Sequence, residues 1–125
     1  KIIKKYEKKL TEIQEKRLTE LQKKYNENPT FENLQSLAYL IYQTSPQKAL
    51  NLVKEHIKKY PDDKKAKIFL AKLLSWSGDN NEALKYLNEF QNSNDYDAKL
   101  LLGKILAWQG DFNKAALYLS DVYDH

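Results

Sequence analysis

The amino-acid sequence predicts an all-α protein, an α-solenoid of three helix-turn-helix pairs preceded by one long amphipathic helix. Three observations predict it. The chain is 42% hydrophobic and 30% charged with only three glycines and three prolines, the balance of a folded helical protein and not of a disordered one. Apolar residues recur at steps of three and four, the period of a helix with one buried face. The stretch beginning at Ala66 also aligns without a gap on the stretch beginning at Ala98, an offset of 32 that suits a repeating pair of helices. A length of 125 residues fits one domain.

The first element is a helix over residues 1–28. Ile3, Tyr6, Leu10, Ile13, Leu18, Leu21 and Tyr25 trace an apolar stripe that is broken once by a step of five. A strict heptad would argue for a coiled coil, whereas an interrupted stripe also suits packing on the first repeat or on a partner helix. Asn26-Glu27-Asn28-Pro29 ends this helix. Three repeats follow, at about 30–61, 62–93 and 94–125. Their helix pairs are expected at about 30–43 with 46–60, 63–77 with 79–91, and 95–109 with 111–123.

The punctuation explains these bounds. Ser45 caps a helix whose first position is Pro46, where the missing N–H costs nothing. Tyr60-Pro61-Asp62-Asp63 is a stop followed by a start, with negative charge meeting the positive end of the next helix. Gly78 and Gly110 stand where a helix needs a left-handed residue just past its end, and Asp79 and Asp111 can accept from the first free N–H groups of the helix after them.

Twelve residues between Ala66 and Leu87 are identical to those 32 positions later, among them Leu70/Leu102, Lys72/Lys104, Trp76/Trp108, Ala83/Ala115, Tyr86/Tyr118 and Leu87/Leu119. This pattern resembles the tetratricopeptide repeat. Leu70-Ala71 and Leu102-Gly103 match its leucine and close-packing small residue, Ala83 and Ala115 the alanine of its second helix, and Leu87 and Leu119 the bulky residue four later. In the first copy Ala49, Val53 and Pro61 fill the corresponding places. The tryptophan usual near the start of the first helix is replaced by Lys67 and Lys99, and tryptophan stands near that helix's end instead. The resulting Trp-x-Gly-Asp segments are similar to repeats in bacterial periplasmic and outer-membrane-associated envelope proteins.

The resemblance implies a non-catalytic scaffold that binds a peptide or protein segment on a concave face lined by the first helix of each pair. On that face the candidates are Gln35, Tyr39 and Tyr42; Ile68, Lys72 and Trp76, with Ser75; and Leu100, Lys104 and Trp108, with Ala107. A lysine followed one turn later by an aromatic ring would suit acidic and apolar peptide residues, or sugar rings stacked on the aromatics. The alternative function is a periplasmic envelope or exopolysaccharide-export assembly module contacting glycan or an outer-membrane partner. Two readings of the tryptophans stay open: they seal the turn by packing on Tyr86 and Tyr118, or they bind.

Little points to chemistry. The absence of cysteine excludes disulfides, thiolate catalysis and thiolate metal sites. His56 and His125 lie far apart without a Glu/His pairing at ligand spacing, and His56 reads as a solvated or partly packed helix residue. Asp62-Asp63 reads as a helix start, and no glycine-rich phosphate loop or nucleophile elbow is present. No catalytic residue, metal or cofactor is expected. The formal charge of +4 argues little for nucleic acid, because residues 1–30 hold nine Lys/Arg against five Glu while the remainder is balanced. Self-association through the first helix, or through an open end at Leu117, Leu119 and Val122, is the remaining partner expectation. No apolar run reaches the length of about 18 residues that a membrane span needs. A chain that starts at Lys1 and holds no methionine is expected to be a piece of a longer bacterial protein, and the envelope similarity favours the periplasm over the cytoplasm.

Overall fold

Aspartates spaced sixteen residues apart start the last four helices. Asp63 accepts from the Ala66 N–H at 3.2 Å, Asp79 from Glu82 at 3.1 Å, Asp95 from Ala98 at 3.1 Å and Asp111 from Lys114 at 3.4 Å. Each bond satisfies one of the donors that a helix leaves free at its amino end. In the computed structural model, which describes residues 2–91 and 93–123, the element order is α1 (Ile2–Glu27), α2 (Phe31–Thr44), α3 (Pro46–Lys59), α4 (Lys64–Trp76), α5 (Asn80–Leu87), α6 (Tyr96–Trp108) and α7 (Phe112–Tyr123). A 3-10 turn over Asn88–Phe90 extends α5. The described residues contain no strand, so the fold is all-α and like that of tetratricopeptide repeats. The helices lie within a few residues of the ranges expected from the sequence.

The glycine turns form as their residues dictate. Gly78 and Gly110 have φ of 90° and 88°, a conformation that costs glycine little. Beyond each of them the next N–H reaches back across the turn, Asp79 to the Leu74 carbonyl and Asp111 to the Leu106 carbonyl, both at 2.9 Å. These bonds satisfy carbonyls that the helix end leaves open.

The chain divides into two compact units, Lys1–Val53 and Lys54–His125, and α3 contributes to both. In the first unit α1 packs on α2, which buries Leu34, Leu37 and Ala38. Only the second half of α1 takes part: Leu18, Leu21 and Tyr25 are half-buried, whereas Ile3, Tyr6, Leu10 and Ile13 are 72%, 62%, 59% and 62% exposed. The lengths of the two helices explain the division. α1 has 26 residues and α2 only 14, so at 1.5 Å per residue the first half of α1 extends beyond the helix it packs on.

In the second unit α4 packs on α5 and α6 on α7, and α6 also contacts both α4 and α5. Phe69, Leu70, Leu73, Leu74, Leu87, Phe90, Leu102 and Ile105 form its core, each at most 3% exposed. Small residues set how closely the paired helices approach. A Cβ at Gly103 would lie 2.7 Å from Leu119, so α6 and α7 are as close there as glycine permits. The end of α3 is tied to this unit by Lys54 to Glu82 on α5 at 3.1 Å and by His56 to Asp63 at 2.8 Å.

Candidate partner-binding site

Helices α4 and α6 present the same residue types at the same heights. Residues 68, 72 and 76 follow one another at steps of four, which stacks them on one side of α4, and residues 100, 104 and 108 do so on α6. Ile68, Lys72 and Leu100 are half-buried, Lys104 is exposed, and Trp76 and Trp108 are 49% and 62% exposed. The Lys72 ammonium sits 5.2 Å from the centre of the Trp76 ring, a cation–π contact contributing about 0.5–1 kcal/mol at an exposed position. Both indoles therefore keep much of their surface open to solvent. Ser75 does not share that openness: it is buried, and its hydroxyl donates to Asn80 Oδ1 at 2.8 Å across the turn.

In the first unit Gln35, Tyr39 and Tyr42 lie along one side of α2 and are all half-buried. They supply an amide and two phenols, a neutral surface, whereas the α4/α6 candidates carry two ammonium groups.

The lysines that stand where the repeat usually has tryptophan have a structural role. Lys67 on α4 pairs with Glu89 at 3.0 Å, and Lys99 on α6 pairs with Asp121 on α7. Both partners of the second bridge lie 32 positions after those of the first, so the repeat preserves the ion pair as well as the core. Sequence reasoning found the lysines but missed the bridges. The signal was present as an acidic residue 22 positions after each lysine.

His56 corrects the expectation of a solvated or partly packed residue without helpers. It is 1% exposed, donates from Nε2 to Asp63 Oδ2, and packs its ring 4.9 Å from that of Tyr60. Asp63 gives its other oxygen to the cap of α4. The pair thus joins the end of α3 to the start of α4, with the imidazole buried and the carboxylate partly exposed. His125 lies outside the described residues. Among the described residues no three His, Cys, Asp or Glu side chains are grouped so as to hold a metal ion, and no helix is long and apolar enough to cross a membrane.

Two grooves escaped the sequence. One of about 830 Å³ runs between α5 and α7 over α6, with Leu84, Leu102, Leu106, Leu117 and Tyr118 as apolar walls beside Lys99 and Asp121. The other, about 330 Å³, lies between α1 and α2 and is lined in part by Leu18, Gln22, Leu40 and Ile41. Both form where helices diverge, which the spacing of residues along one helix does not reveal.

Comparison with known proteins agrees with this architecture. Residues 40–92 match the family model described as tetratricopeptide repeat, a span that includes α3, α4 and α5. No curated protein matches the chain at significant similarity. Residues 40–92 are thus similar to the tetratricopeptide repeat, and a helix pair of the same kind, closing on a small residue and breaking at a left-handed glycine, recurs 32 positions on.

Proposed function

We propose that the chain is a non-catalytic scaffold that docks a peptide or protein segment on the α4/α6 face. Tetratricopeptide repeats generally mediate protein–protein interaction, and the family is typically a scaffold. One observation carries the assignment to this face: two tryptophans at equivalent positions of contacting helices, each one turn beyond a lysine, are 49% and 62% exposed. Indoles of this kind act as anchors in interfaces, and the adjacent ammonium groups select acidic neighbours. The segment that fits carries an apolar or aromatic residue flanked by Asp or Glu. Gln35, Tyr39 and Tyr42 are the corresponding candidates of the first unit, suited to a less charged stretch.

A peptide array of acidic-aromatic sequences tests the assignment. Trp76→Ala combined with Trp108→Ala is expected to weaken captured peptides by about tenfold or more, with the melting temperature lowered by only a few degrees. Equal binding by the variant, or weakening only in step with lost stability, overturns it.

The exposed indoles beside lysine also favour a second reading, in which the same face stacks sugar rings of an anionic polysaccharide in a periplasmic envelope or export assembly. Retention on an anionic polysaccharide column that is lost in the double variant supports it, and flow-through of the unaltered chain rejects it. Self-association is a further proposal for the end of the second unit, where Leu117 is 74% exposed and Leu119 and Val122 are half-buried. Sedimentation that depends on concentration, and ceases to do so in Leu117→Lys, is the expected result.

A further inference from the structure

The first ten residues of the sequence hold the whole net charge of the chain. Residues 1–10 contain five lysines and one glutamate, which leaves sixteen charges of each sign in residues 11–125. The first half of α1 carries the exposed stripe of Ile3, Tyr6, Leu10 and Ile13. These four side chains span an arc of roughly 80° around the helix; Lys4, Lys5 and Lys8 occupy the opposite side and Lys9 stands at the stripe's edge. Among the described residues none of those four lysines forms an ion pair. The stripe lies on the part of α1 that extends beyond α2, so no described helix covers it.

We propose that the first half of α1 docks on an anionic lipid surface, with the apolar stripe at the boundary between headgroups and acyl chains. A basic polar face opposite a short apolar one is the pattern of helices that lie in a membrane interface. Tyr6 suits that depth, since its ring is apolar and its hydroxyl polar, and the lysine stems can extend past the stripe to the phosphates.

Charge placement separates this occupant from the others. A protein helix laid along the stripe would meet the residues on its two flanks. Those are Lys9 on one side and Glu7 on the other, which together favour neither sign. A lipid surface instead sums every charge within about 10 Å, so Lys4, Lys5, Lys8 and Lys9 all count. A second copy of the chain is a poor occupant, because it would bring two segments of the same positive charge together. The stripe is also only about 15 Å long, short of the three or four heptads of a sustained coiled coil. Each lysine near an anionic surface is worth about fivefold in partitioning.

The test sediments the full chain with vesicles of phosphatidylcholine, with and without phosphatidylserine. Binding is expected to be about tenfold or more stronger with phosphatidylserine. It is expected to fall by about that factor in Lys5→Glu with Lys9→Glu, and again in Leu10→Gln with Ile13→Gln. Circular dichroism of these exposed-position variants should show an unchanged melt. Failure of the full chain to prefer phosphatidylserine vesicles overturns the proposal. So does binding that ignores the Leu10/Ile13 change and is matched by poly-L-glutamate, which would make it charge attraction alone. A dimer that the Leu10/Ile13 change dissolves, without vesicle binding, assigns the stripe to a second copy instead. The α4/α6 face plays no part in any of these outcomes.

Discussion

The α4/α5 and α6/α7 pairs share twelve identical residues between Ala66 and Leu87 and their counterparts, the same aspartate caps, the same left-handed glycine and the same lysine bridge, yet they are buried differently. Leu74, Leu87 and Phe90 are 2%, 0% and 3% exposed, whereas Leu106, Leu119 and Val122, 32 positions later, are only half-buried. The reason lies outside either pair. α6 covers the outer side of α4 and α5, and the described residues place no comparable helix on α6 and α7. The turns differ as well. Ser75 and Asn80 bond across the first, while their counterparts are Ala107 and Phe112, and Phe112 is 70% exposed. A repeat therefore encodes how a pair closes on itself, and the neighbour decides how much of its outer surface leaves water.

Four substitution series would break or sharpen that comparison. The largest effect is expected for Leu87→Ala, about 3 kcal/mol of stability from lost burial and the cavity left behind. Leu119→Ala should lose only about 1 kcal/mol, because its site is partly wetted already. Equal losses in urea unfolding would mean that the two pairs are buried alike in solution.

Next comes the close approach. Gly103→Leu places atoms where Leu119 already stands and should destabilise by about 2 kcal/mol through overpacking, read from the same unfolding curves. The counterpart change Ala71→Gly removes a fully buried methyl and adds backbone freedom, and should cost about 1.5 kcal/mol.

The shared turn should behave symmetrically. Gly78→Ala and Gly110→Ala each force an alanine into the left-handed region and should cost about 1 kcal/mol apiece. Unequal losses in thermal melts would show that one turn is held by more than its backbone.

The smallest effects are expected at the indoles. Trp76→Ala should cost under about 1 kcal/mol, part of it the contact with Lys72, and Trp108→Ala less. A loss of about 3 kcal/mol, the figure for a buried aromatic, would return both residues to the packing role.

Much of the fold was legible because it rests on local rules. Pro29, Pro46 and Pro61 mark helix bounds, Gly78 and Gly110 mark turns, and each aspartate cap sits beside the helix it starts. The candidate face was legible in part, since recurrence singled out Lys72, Trp76, Lys104 and Trp108. Whether the indoles were open or packed was not, because the same ring suits either setting. His56 was misread for a related reason: its partner Asp63 is seven residues away around the turn at Pro61, and only the folded turn brings the two side chains within 2.8 Å. The lysine bridges were hidden likewise, since no helical period connects Lys67 to Glu89.

The amino-acid sequence alone determined the helices, their pairing period and the break in the α1 stripe. All three depend on interactions within a few residues or on direct repetition. Tertiary structure decided which apolar residues are covered, where the grooves open and which charges are paired. Those follow from the distance between helices, and that distance is set by side chains far apart in the chain, as Gly103 and Leu119 set it between α6 and α7.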